Sequence, residues 1–203
     1  MIAFTDITGL AGIALAASVV LAPLGGRVTR AVPALVAGGV FVLMLLPLPM
    51  IELPLAGYVR GATGDLSIAA VLILACAIAV RCGWLKSGLA SAHPARLRAA
   101  LLLPVFAACV LYPMALGATP VDAYAWGYGE PWLLAALLGI AIGGVVLRLP
   151  LVAPAIALAV LAWAVGWSES CNLWDYLIDP MLCVYALGKV IAITARARLV
   201  RLH

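Results

Sequence analysis

Seven apolar runs, separated by short stretches that hold nearly all of the charge, constrain the fold more than any other feature of this chain. They fall at residues 7–24, 32–50, 66–85, 99–117, 131–147, 151–167 and 180–194. A helix rises about 1.5 Å per residue, so a run of roughly 17–25 residues crosses the hydrocarbon core of a bilayer. Backbone polar groups in that core must be paired within the segment, which leaves helices as the solution for runs of this kind. The composition agrees: 67% of residues are hydrophobic, 10% are charged and the mean hydropathy is +1.22. Soluble domains carry about 25% charged residues. The expected fold is therefore all-α, a single polytopic bundle of seven transmembrane helices over residues 1–203.

Several boundaries carry their own signals. Pro33 sits in the first turn of the second run, and Pro47, Pro49 and Pro54 end that run and stiffen the polar island after it. Pro104 and Pro113 are positioned to kink the fourth helix. Only Arg148, Leu149 and Pro150 part the fifth run from the sixth, giving a tight helical hairpin or, because both runs are short, a re-entrant pair. Gly139 and Gly143 form a GxxxG pair that reads as a helix-packing signal of low specificity. The N-terminal run lacks a preceding Lys or Arg and comes after Asp6, so it reads as a retained membrane helix, not a cleaved leader.

Charge fixes the orientation. Arg27, Arg30, Arg81, Lys86, Arg96, Arg98, Arg148, Arg196, Arg198 and Arg201 all lie on one side of the seven runs, while Arg60 alone lies on the other. Lys189 lies within the seventh run, nearer the basic side. The positive-inside rule then puts the C-terminus in the cytoplasm and the N-terminus outside a bacterial-type cytoplasmic membrane. Basic residues spread in this way do not form a nucleic-acid surface.

All eight acids fall on the outer side: Asp6, Glu52, Asp65, Asp122, Glu130, Glu169, Asp175 and Asp179. Most read as helix caps, because a carboxylate at a helix N-terminus pairs with orphan N–H groups and complements the dipole. Asp6, Asp65, Glu130 and Asp179 precede or open helices, and Glu130 and Asp179 each stand directly before a proline. Thr119 to Asp122 and Asn172 to Asp175 have the spacing of capping boxes. Glu52 and Glu169 lie instead at helix C-terminal ends, where a negative charge needs compensation. Arg60 is the available partner, through an ion pair with Glu52 or Asp65.

The same residues make the candidate site. In that reading Glu169, Asp175 and Asp65 are candidate catalytic carboxylates. Arg60, Glu52, Asp122 and Trp174 would bind substrate, with Arg60 anchoring a phosphate or carboxylate. Arg60, Asp65, Asp122, Asp175 and Glu169 are expected to converge in one outer basin. The aromatics of the polar islands, including Tyr58, Tyr124, Trp126, Tyr128, Trp132, Trp163 and Trp174, suit either an interfacial belt or a sugar- or headgroup-binding cleft.

Other chemistries lack their residues. His93 and His203 both lie on the basic side, which disfavours an outward histidine zinc site or a bis-histidine haem. Neither GxSxG nor GxxxxGK[ST] occurs, and no cofactor or metal site is expected. The five cysteines include no CxxC and read as buried thiols, with a Cys171–Cys183 disulfide open only if both face the oxidising side. No acid or histidine lies at the middle of a run, which weakens an ion-coupled transporter. The sequence therefore points to a non-catalytic membrane subunit or accessory protein of an envelope process. Its partners would be membrane lipid and another membrane protein. The alternative is an outer-leaflet enzyme on a lipid-linked sugar or phosphate, and a small-solute or cation transporter comes third.

Overall fold

In the computed structural model the chain is all-helical; the structure describes residues 4–22, 31–47, 53–85 and 93–202. Among these the sole β-type pairing is an isolated antiparallel bridge between Pro47 and Pro54. Two compact units are formed, residues 1–66, 71–88 and 167–169 in the first, and 67–70, 89–166 and 170–203 in the second.

The first unit contains α1 (Phe4–Leu21), α2 (Ala31–Leu45), α3 (Leu55–Thr63) and the greater part of α4 (Ile68–Arg81). α1 packs against both α2 and α3. Close packing is achieved with small residues: Ala14 and Ala56 are fully buried, and Gly12 lies against Leu66 and Val71. Ser18 is also buried and its hydroxyl donates to the Ala14 carbonyl, so its polar group is paired. Arg81 donates to the Val19 carbonyl in the last turn of α1, where a cation complements the dipole.

α3 departs from the sequence expectation, which left the island before residue 66 without a helix. Ala56, Arg60 and Thr63 have helical spacing and turn inward, while Tyr58 and Val59 are exposed. Gly64 at φ +75° ends the helix in the left-handed region, and its N–H donates to the Arg60 carbonyl.

The second unit contains α5 (Pro94–Ala115), a 3₁₀ helix (Tyr124–Tyr128), α6 (Pro131–Val146), α7 (Val152–Ala164), α8 (Leu173–Leu177) and α9 (Pro180–Leu202). Its core joins Ala108, Leu133, Leu137, Ala159, Leu173, Tyr176, Leu177 and Ile178. The late polar island thus folds inward and supplies half of these core residues. α9 packs on α5, with Leu182 and Ala186 buried. α5 continues through Pro104 and Pro113 without a break. The Cys183 thiol lies 3.6 Å from the Pro104 carbonyl, and Cys171 and Cys183 are both free.

α6 and α7 form a packed pair, but not through the GxxxG glycines. A Cβ on Gly139 or Gly143 would meet nothing within 4 Å, whereas one on Gly144 would lie 2.9 Å from Val152 Cγ1. The connection is tight enough to hold Arg148 (φ 53°) and Leu151 (φ 62°) in the left-handed region, where non-glycine residues are uncommon.

Seven apolar helices fall on the seven apolar runs. Apart from α5 and α9 they are no longer than their runs: among the described residues one, Pro94–Ala115, is long and apolar enough to cross a membrane, and the apolar stretches of the other six, Asp6–Leu21 and Pro180–Ala195 among them, count 10–17 residues. α9 departs the other way, continuing to Leu202 beyond the expected end at 194.

Candidate functional site

Each unit gathers its own polar cluster. In the first unit the hub is Arg60, near the end of α3. Its Nε and Nη2 donate to Asp65 Oδ1 (2.5 Å) and Oδ2 (3.0 Å), a bidentate fork made by the turn at Gly64. Nη1 donates to Asp6 Oδ1 (2.8 Å), and Nη2 also donates to Glu169 Oε1 (2.9 Å). Four of the five guanidinium N–H groups are thereby directed at carboxylates. The Arg60 side chain is 18% exposed, against 60% for Glu169. Asp65 first, then Asp6, hold the guanidinium even more firmly protonated than usual.

The hub needs a glycine on α1. Gly9 lies one turn after Asp6, and a Cβ there would overlap both the Asp65 carboxylate and Arg60 Nε. Asp6 at the helix start and Gly9 beneath it make one notch that receives the ion pair.

The second cluster is built around Tyr124 and Asp175. Asp175 Oδ2 accepts from the Tyr124 hydroxyl (2.8 Å) and from Ser170 Oγ (2.6 Å). Ser170 Oγ in turn accepts from the Asn172 N–H (3.0 Å). Asn172 caps α8 by accepting from the Trp174 N–H (2.9 Å), and its Nδ2 donates to the Tyr124 carbonyl (2.8 Å). Burial, then the Asp175 carboxylate, push the Tyr124 phenol above its ordinary pKa. A Cβ on Gly127 would overlap the Asn172 amide, so the 3₁₀ helix can close on α8 only with glycine at that position.

A third tie is buried. Asp179 is 5% exposed; its Oδ1 accepts from the Leu182 N–H (2.7 Å), capping α9, and its Oδ2 accepts from the Ser67 N–H (2.9 Å). Ser67 Oγ accepts from the Ala70 N–H (3.1 Å) and so caps α4.

These contacts reassign several expected roles. Asp65 does not cap α4, because Ser67 does and the Asp65 carboxylate is drawn to Arg60. Asp175 does not close a capping box with Asn172; Ser170 satisfies the Asn172 N–H instead. Thr119 donates to the Val121 carbonyl, and Asp122 accepts from the Tyr124 N–H (2.9 Å), an Asx turn leading into the 3₁₀ helix. Glu130 occupies the N-cap position of α6, directly before Pro131, without a side-chain capping bond. Glu169 comes five residues after the last residue of α7, Ala164, and its charge is compensated by Arg60.

Of the five residues expected to converge, Arg60, Asp65 and Glu169 meet in the first unit. Asp122 and Asp175 both bond Tyr124 in the second. Glu52 lies outside the described residues. Trp174 directs its indole N–H to the Ala123 carbonyl (3.0 Å), and Trp163 directs its own to the Cys171 carbonyl (2.8 Å), so both rings are fastened to backbone. The sequence reading missed Asp6 as a third carboxylate on Arg60, and Ser170 and Tyr124 as partners of Asp175. The Asp6–Gly9 spacing was the available signal for the first; nothing local marks the second. Among the described residues no group of three or more His, Cys, Asp or Glu is placed to hold a metal ion. No protein-family model, curated protein or solved structure matches the chain.

Proposed function

We propose that this is an integral protein of a bacterial-type cytoplasmic membrane, with seven spans, the N-terminus outside and the C-terminus in the cytoplasm. It acts without catalysis, as a membrane subunit or accessory protein of an envelope process. Its neighbours are lipid and at least one other membrane protein. The observation that carries the non-catalytic reading is the state of Arg60. One guanidinium faces three carboxylates, so the site is net negative and its anion-binding fork is already used by Asp65. A lipid-linked phosphate would have to displace a bidentate carboxylate against the repulsion of two more. Asp175, the other candidate base, is held by two hydroxyl donors, from Tyr124 and Ser170.

The membrane reading is supported by large apolar side chains turned outward on several helices. They include Leu35 on α2, Phe106 on α5, Leu138 and Val145 on α6, Leu161 on α7 and Val184 on α9, all more than half exposed. Apolar surface on this scale calls for a non-aqueous environment or a partner. Local bilayer thinning and snorkelling accommodate spans shorter than the average hydrocarbon thickness.

Reporter fusions test the topology. Fusions after Arg30, Arg98, Arg148 and Arg201 should report cytoplasm, and fusions after Arg60, Gly127 and Leu173 the outside. A shared side for Arg148 and Leu173 would reduce the span count below seven. Extraction into native lipid discs, then mass spectrometry, tests the role. A stoichiometric membrane protein is the expected companion; a stoichiometric lipid-linked phosphate would overturn the non-catalytic reading in favour of the outer-leaflet enzyme.

A further inference from the structure

Ahead of its basic tail, α9 holds one charged residue that the polar clusters do not use. Lys189 is nine residues beyond Pro180 and seven before Arg196. At about 1.5 Å per residue it lies roughly 14 Å below the outer end of the helix and about 10 Å from the basic tail. In a hydrocarbon core about 30 Å thick that is near the middle of the span. Charged residues at such depth are rare; they pair with one another or face a protein interior or a water-filled cavity.

Lys189 is exposed, at the edge of the face that α9 turns toward α5. That face carries Leu182 and Ala186, both buried; Lys189, seven and three residues after them, lies on its flank, where exposed Tyr185 stands one turn earlier. The ammonium sits 5.5 Å from the centre of the Tyr185 ring. Tyr185 is one turn nearer the outer end, so this rotamer points away from the basic tail, opposite to the direction a snorkelling lysine takes. A ring quadrupole offsets only part of the cost of an ammonium in hydrocarbon, about 0.5–2 kcal/mol. Gly188, the residue before Lys189, has nothing within 4 Å of its Cβ position, which leaves a notch where another helix backbone can approach.

We infer that the Lys189–Tyr185–Gly188 face of α9 docks a transmembrane helix of a second protein carrying an Asp or Glu at mid-membrane depth. This rests on the seven-span reading and names the partner that an accessory subunit would need. A second copy of this chain cannot supply the acid. All eight of its acids lie in the polar islands or at helix starts, and the one nearest along α9, Asp179, is ten residues from Lys189.

The test is zero-length cross-linking in native membranes with dicyclohexylcarbodiimide, a membrane-soluble reagent. It activates a carboxylate, and a lysine in contact captures it as an amide, the reagent leaving as its urea. Mass spectrometry should find Lys189 joined to an acid within a transmembrane segment of another protein. Lys189→Met should abolish that product, while Lys189→Arg should keep the partner bound, measured as co-purified partner at within about two-fold of the wild type. Cross-links from Lys189 only to this chain, no Lys189 cross-link at all, or unchanged co-purification with Lys189→Met would each overturn the inference. A Lys189→Met chain that fails to accumulate is read through the wild-type cross-link, which needs no variant. Fusions at Arg148, Leu173 and Arg201 run beside it: if they give the expected sides while the cross-link is absent, only the docking face is lost.

Discussion

Asparagine is ordinarily as good a helix cap as aspartate, so Asp179→Asn would be harmless if capping α9 were the whole role of this side chain. The structure gives a different expectation, because both carboxylate oxygens accept backbone N–H groups, from Leu182 and from Ser67. An amide has one oxygen. If that oxygen keeps the Leu182 bond, the Ser67 N–H faces the amide NH₂ and loses its acceptor in a site that is 0% exposed at Ser67 and 5% at Asp179. An orphaned buried donor costs about 1–3 kcal/mol. Asp179→Ala loses the cap as well, a further ~1 kcal/mol, for a total of about 2–4 kcal/mol. For a chain of this length each kcal/mol moves Tm by roughly 2–4 °C. The assay is thermal unfolding of the purified variants in one detergent at one lipid ratio. The expected order is wild type, then Asn, then Ala, with the step from wild type to Asn at least as large as the step from Asn to Ala. Coincident melting of wild type and Asp179→Asn would show that the Ser67 bond contributes nothing, and the reasoning would fail.

Asp65→Asn and Arg60→Lys should both destabilise, by about 1–3 kcal/mol, because each breaks the bidentate fork of a mostly buried guanidinium; Glu169→Gln, at an exposed carboxylate, should stay within about 1 kcal/mol of wild type in the same melts. Gly127→Ala should cost about 1–3 kcal/mol by pushing Asn172 off its cap, whereas Gly139→Ala, with open space around its Cβ, should be neutral or stabilising by up to about 1 kcal/mol; paired unfolding curves separate them. Tyr124 should resist ionisation at a pH where ordinary tyrosines titrate, near 10, in an ultraviolet difference titration, and Asp175→Asn should bring it part of the way back. Since its folded pKa is raised, its contribution to stability is complete below about pH 10 and is lost as pH rises through the folded value, so the alkaline loss of stability traceable to Tyr124 should be smaller in Asp175→Asn than in the wild type.

The apolar helices were legible because hydrophobic run length is the strongest signal a chain can carry, and each run holds one. α3 was not, because nine residues bracketed by Pro54 and Gly64, with Arg60 and two further glycines inside, read as a loop. It becomes a helix by setting Ala56 and Arg60 against α1, a tertiary gain that local propensity does not contain. The cap at Asp179, marked by the proline after it, was legible, although the same signal at Glu130 comes with no side-chain capping bond. Caps were not legible where two suitable residues compete, as Asp65 and Ser67 do, since the winner depends on a distant arginine having claimed the other. The pairing of Asp175 with Ser170 and Tyr124 joins a neighbour five residues back to one 51 residues away, and no spacing rule anticipates the second.

The Asp179–Ser67 bond also sets a clock on biosynthesis. The two residues are 112 positions apart, and chains emerge at about 5–20 residues per second, so the Ser67 amide waits roughly 6–22 s for its acceptor. Throughout that interval the second unit lacks α9, which buries Leu182 and Ala186 against its neighbours. A residue that precedes α9 thus supplies the acceptor that a segment made 112 positions earlier needs. A chain stopped just before Asp179 would keep the Ser67 N–H without this acceptor, however well its earlier helices had formed.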